Sequence, residues 1–108
     1  MAKYLVEVKY TLEGIRGVKS EGGTARVAAA TASIEELGGK VEAFYFAFGE
    51  TDVVVIVDIP DNVSAAALGL AVTAGGGAAS RTTVLLTAGE MDEAAKKAAG
   101  SSYRPPGG

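Results

Sequence analysis

Apolar and polar side chains alternate along Lys3–Tyr10, with Tyr4, Val6, Val8 and Tyr10 on one side and Lys3, Leu5, Glu7 and Lys9 on the other. A period of two predicts a strand with two unlike faces. Thr11 is placed to cap a short helical turn through Val18, and Gly22-Gly23 interrupts the chain. The period then lengthens: Val27, Ala30, Ile34 and Leu37 form one stripe of a helix that starts near Thr24 and stops at Gly38-Gly39. Lys40–Phe48 reads as a second strand, the polar stretch Gly49–Asp52 as a four-residue turn, and Val53–Ile59 as a third strand. Pro60-Asp61-Asn62 closes that strand and caps a helix of small residues ending at Gly75-Gly76-Gly77. Ser80–Leu86 is a fourth strand, and Thr87 with Glu90 forms a capping box for a last helix to about Ala99. Residues 1–100 therefore read as a single domain, and 101–108 as an extended C-terminal tail.

The order predicts an α+β, ferredoxin-like βαββαβ fold with an extra C-terminal helix and a four-stranded antiparallel sheet. Its helices cover one face of the sheet only. Val53–Val57 is an unbroken β-branched run, whereas a strand open to water on one side should alternate. A second copy of the chain is the expected cover for the other face, making the protein a homodimer or larger.

A four-residue turn opposes Phe48 to Val53, which puts Phe44, Phe46 and Phe48 on the helix-covered face with Val53, Val55, Val57 and Ile59. Pairing Lys3 with Asp58 sets Glu7 opposite Val54 and Lys9 opposite Asp52, on a mixed outer face shared with Tyr45. A one-residue slip would exchange the faces. Lys9, Tyr45 and Asp52 are the candidate ligand-binding residues, lining a polar pocket near the dimer seam. The plainer reading of Lys9 and Asp52 is a cross-strand ion pair.

Lys3-Tyr4-Leu5-Val6, Thr11-Leu12-Glu13-Gly14, the Glu42–Gly49 segment, Asp52-Val53-Val54, Pro60-Asp61-Asn62, Leu85-Leu86-Thr87 and the Tyr103-Arg104-Pro105-Pro106 tail are similar to those of the GYD-domain proteins. The resemblance implies the dimeric α+β-barrel superfamily and brings a fold and an oligomer rather than a settled activity. The Gly-Tyr-Asp signature corresponds to Gly49, Thr51 and Asp52, with Thr51 standing where the family has tyrosine. Superfamily relatives raise a second reading, a cofactor-free oxygenase or isomerase working between helices and sheet. An open apolar cavity there favours that reading, and a sealed core disfavours it.

Composition narrows the chemistry. The chain has no Cys and no His, which removes thiolate nucleophiles, Cys-based metal sites and the commonest general base. No motif implies a cofactor or a metal. Gly38-Gly39 and Gly75-Gly76-Gly77 follow helices, the reverse of a phosphate loop, and Gly22-Gly23 lacks the lysine such a loop uses. Glu90, Asp92 and Glu93 sit in a helix's first turn, where carboxylates favour the dipole. Ten scattered Lys and Arg within a net charge of −3 give no footprint for nucleic acid or a membrane surface. Hydrophobic residues make up 48% of the chain, much of it Ala, yet no run has the length of a membrane span. The N-terminus has no apolar core of the signal-peptide kind, so a cytoplasmic protein is expected. The leading functional expectation is a small-molecule binding or sensing module without catalysis. An oligomer whose role is assembly is the remaining alternative.

Overall fold

The computed structural model describes Met1–Gly108. The chain runs β1 (Ala2–Tyr10), α1 (Leu12–Glu21), α2 (Gly23–Glu36), β2 (Lys40–Phe46), β3 (Val53–Ile59), α3 (Asn62–Ala74), β4 (Ala78–Leu85) and α4 (Ala88–Ala99). The strands form one sheet in the order β2-β3-β1-β4, every neighbouring pair antiparallel. This is the α+β, ferredoxin-like arrangement. No helix is long and apolar enough to cross a membrane.

Local chemistry sets the helix boundaries. The Thr11 hydroxyl accepts the Gly14 N–H at 3.1 Å and starts α1. Gly22, at φ +83°, ends α1 and turns the chain into α2. Only glycine holds such a φ without cost. The expected turn to Val18 is thus a full helix of ten residues. Asp61 caps α3 by accepting the Ser64 N–H at 2.7 Å, and that bond holds its carboxyl below the usual range. Glu90 is likewise spent on a cap, in a complete box with Thr87, and no group of three acidic residues could hold a metal ion.

The β1–β3 register is the expected one, with Lys3 opposite Asp58 and Glu7 opposite Val54. The β2–β3 hairpin differs. Phe46, not Phe48, stands opposite Val53, because β2 ends two residues early and the connection spans Ala47–Asp52, closed by Ala47 N–H to the Asp52 carbonyl at 2.9 Å. The shift is by two residues, so Phe44 and Phe46 keep their face. Phe48 does not, and is fully exposed in the loop. A bulge at Glu42 breaks the pairing between Val41 and Ala43.

On β3 the inward residues Val53, Val55, Val57 and Ile59 are 2%, 4%, 0% and 0% exposed, while Val54 and Ile56 between them are half-buried. The inward set packs with Tyr4, Val6, Ile34, Ala65 and Leu68 as the core. Each buried valine, isoleucine or leucine side chain among them contributes roughly 1.5–3 kcal/mol by leaving water. The Tyr4 hydroxyl keeps its hydrogen bond there, donating to Asn62 Oδ1 at 2.6 Å.

Beyond Leu85 the chain leaves this body. Every residue from Leu86 to Gly108 is exposed, including Met91 and Tyr103. The radius of gyration is 17.1 Å, against about 13 Å for a compact chain of this size. The Tyr103-Arg104-Pro105-Pro106 segment does not rest against its own subunit.

Candidate functional site

α2 packs over β2 at one side of the sheet and α3 over β4 at the other. Between the two helices, above the middle strands, lies an open cavity of about 350 Å³. Its floor is Val6 and Val8 of β1 with Val53 and Val55 of β3, and Phe44 supplies an aromatic wall. The space exists because its rim is made of small residues: Gly69 and Ala71 of α3, Gly75 at its end, and Gly77, Ala78 and Ser80 of β4 or just before it. A Cβ built on Gly69 would meet nothing nearer than Ser80 Oγ at 3.9 Å. At one end Gly14 lies so close to Gly77 that an added Cβ would stand 1.8 Å from its carbonyl oxygen. Thr11 ties the same place, its N–H donating to the Gly77 carbonyl at 2.9 Å and its hydroxyl to that of Gly76 at 3.0 Å.

Twelve of the twenty residues lining the cavity are hydrophobic, so its body is apolar. Arg26 is the single charged lining residue, and Tyr10 is the other ionisable one. Arg26 has one ionic partner, Glu21, whose Oε1 is 3.6 Å from Nη1. That distance exceeds a hydrogen bond, so most of the guanidinium's donor fork is left for other acceptors. Tyr10 has its phenol pKa raised: burial is the largest cause, Arg26 opposes it, and Asp52 and Glu21 add to it. The phenol is therefore neutral at physiological pH, with its hydroxyl proton available to donate.

The other face of the sheet is uncovered. Leu5, Val54 and Ile56 form its centre, with Ala43 and the 71%-exposed Tyr45 beside them on β2. Charged pairs ring this centre. Lys3 Nζ lies 2.9 Å from both Glu42 and Asp58, and hydrogen bonding to Glu42 first and Asp58 second raises its pKa. Arg81 Nη2 reaches Glu7 Oε1 at 3.2 Å, and Lys9 Nζ reaches Asp52 Oδ1 at 3.5 Å.

Of the residues expected to share a site, Lys9 and Asp52 are together. Tyr45 is on the same face but two strands away, paired with Val54, which in turn pairs with Glu7. Asp52 is largely occupied by the backbone. Its Oδ2 accepts the Tyr10 N–H at 2.8 Å, and its own N–H donates to the Val8 carbonyl at 2.8 Å, fastening the hairpin loop to the end of β1. A shallow polar depression beside it contains Glu7, Lys9, Glu50, Thr51 and Arg81, without Tyr45 or Asp52. The Thr51 hydroxyl donates to Glu7 Oε2 at 3.4 Å.

The sequence points to this space only through the alternative reading of a pocket between helices and sheet, and Tyr10 and Arg26 are not among its candidate ligand-binding residues. Tyr10 falls on the helix-covered face by alternation alone, and Arg26 shows no pattern at all. The usable signal is a deficit of volume: Gly69, Ala71 and Gly77–Ser80 are small where a packed helix–sheet interface needs large residues.

No curated protein matches the chain. Nor does any solved structure. The family model for the GYD domain matches residues 4–95, nearly the whole folded body and most of α4. The chain belongs to the GYD-domain family.

Proposed function

We propose that the protein is a homo-oligomeric small-molecule binding or sensing module without catalysis of its own, and that its ligand occupies the cavity between α2 and α3. The observation that carries this reading is the open apolar cavity of about 350 Å³ with its single cation. Its volume lies within the range of about 300–1,000 Å³ usual for small-ligand sites. A mid-helix glycine costs roughly 0.5–1 kcal/mol relative to alanine. Gly69 accepts that cost at a position where a side chain would fill the cavity.

The same opening is the feature expected of an oxygenase or isomerase. Binding is the better-supported reading, because the lining groups are poor proton acceptors. Tyr10 holds its proton, Arg26 is permanently charged, and Asp52 lies outside the cavity with its oxygens engaged. A base poised near neutrality is what proton-abstraction chemistry needs.

The second copy belongs on the uncovered face. That face balances Lys3, Lys9, Lys40 and Arg81 against Glu7, Glu42, Asp52 and Asp58 around an apolar centre. Such a patch suits its own two-fold image. Lys9, Tyr45 and Asp52 then form part of the rim of the seam.

The test is titration with the neutral fluorescent probe N-phenyl-1-naphthylamine, comparing the native chain with Gly69→Leu. The native protein should bind, and the leucine should abolish binding while raising the thermal midpoint. Undiminished binding by Gly69→Leu would remove the cavity from consideration.

A further inference from the structure

We propose that the cavity's ligand is an anionic amphiphile: a compact apolar body carrying one carboxylate- or sulfonate-like head that pairs with Arg26 and accepts a hydrogen bond from Tyr10. This rests on the cavity being the ligand site. The argument begins with what the lining contains. Apart from Tyr10 and Arg26, the residues lining the cavity are aliphatic, aromatic or small and uncharged. The two are close enough for the arginine's charge to act on the phenol.

A cationic ligand would meet Arg26 as a like charge in an apolar setting, where water screens little. A neutral ligand would bury part of the guanidinium without giving it a partner, at the cost of its hydration. An anionic head does neither. A planar guanidinium offers a two-pronged donor that matches a carboxylate or sulfonate. Glu21 is the only acid near enough to compete, and at 3.6 Å from the guanidinium Nη1, with both side chains over a third exposed, it holds Arg26 loosely. An incoming head can displace it into water. Asp52 faces Tyr10 from the loop, but Lys9 and the Tyr10 N–H already occupy it. The remaining volume suits a fused-ring or branched acid and is too small for a long extended chain, with Phe44 as the surface on which a ring can rest.

Two probes with the same rings separate the head from the body: 8-anilinonaphthalene-1-sulfonate and the uncharged N-phenyl-1-naphthylamine. The native protein should bind the sulfonate roughly tenfold or more tightly than the neutral probe, the scale of one charge-assisted contact. Arg26→Gln should erase that preference by weakening the sulfonate while the neutral probe binds as tightly as before or more so, because it no longer buries an unpartnered charge. Arg26→Lys should restore part of the preference. Thermal midpoints of both variants should match the native value, since the loose pair with Glu21 contributes little. Equal affinities for the two probes in the native chain, or a preference that survives Arg26→Gln, would overturn the anionic assignment while leaving the cavity as a site. If Gly69→Leu fails to weaken either probe, the cavity reading itself falls, whatever Arg26 does.

Discussion

The two faces of β3 are built from nearly the same residues and meet different fates. Val53, Val55, Val57 and Ile59 are buried on the helix-covered side, whereas Val54 and Ile56, as apolar as their neighbours, have nothing from their own chain above them. Hydrophobicity alone therefore does not say which side of a strand is core. What differs is the company across the sheet. The inward face is continued by Tyr4, Val6 and Phe44, and the outward face by Lys3, Glu7, Lys9 and Arg81 in pairs. A face that mixes an apolar centre with balanced ion pairs remains soluble for a time and can still close against a copy of itself. The inward face is not uniform either. Its outer parts are tightly packed, and its middle opens into the cavity beside α3.

This contrast can be broken most severely at Val57. Val57→Asp places a carboxylate at a fully buried position with no cation near it. It should cost about 4 kcal/mol or more. Urea unfolding should show the subunit at or beyond the edge of stability. The matching change on the other face, Ile56→Asp, should instead shift sedimentation from dimer to monomer while near-ultraviolet circular dichroism stays native. Equal unfolding by both substitutions would show that the outer face, too, is closed within one subunit.

Gly14→Ala probes the end of the cavity. Its Cβ would collide with the Gly77 backbone, which cannot swing aside as a side chain can. A loss of roughly 1–3 kcal/mol is expected, as for overpacked cores. The probe site should loosen as well, because α1 and the α3–β4 loop must part.

The smallest effect concerns α4, which packs on neither face. The Thr87 N–H donated to Glu90 holds that carboxyl's pKa below its ordinary value of 4.5. A lowered folded-state pKa means the contribution is complete above 4.5 and is lost as pH falls through the folded value. The Thr87 amide resonance and the helicity of α4 should thus be constant from neutrality to about pH 5 and fade only in stronger acid, with the body unaffected. Thr87→Ala should give a frayed α4 at every pH.

Much of the fold is legible because local and cross-strand signals agree. Alternation in β1, the Gly22 and Gly38 helix ends, the Thr87–Glu90 box and the Lys3–Asp58 pairing each appear where their chemistry places them. The hairpin is less legible. A bulge at Glu42 and a loop that takes in Ala47 and Phe48 depend on sheet twist and on Asp52 bonding to β1, neither of which leaves a local pattern. Phe48 shows the limit most plainly: its type argues for burial, and the loop leaves it in water. The ion pair of Lys9 and Asp52 follows from register, but Tyr45 shares only their face. The cavity escapes a reading by motif because it consists of missing atoms, at Gly69, Ala71 and Ala78, and only a three-dimensional packing places those absences side by side.

Native mass spectrometry of the freshly purified protein tests the central claim most directly, since it reports how many chains assemble and what small molecule stays with them. The two faces of the sheet should each declare an occupant: an even-numbered assembly built from dimers, carrying up to one small acid per subunit that is lost on Gly69→Leu. A monomer with no retained ligand, stable at micromolar concentration, would contradict the assignment of both faces.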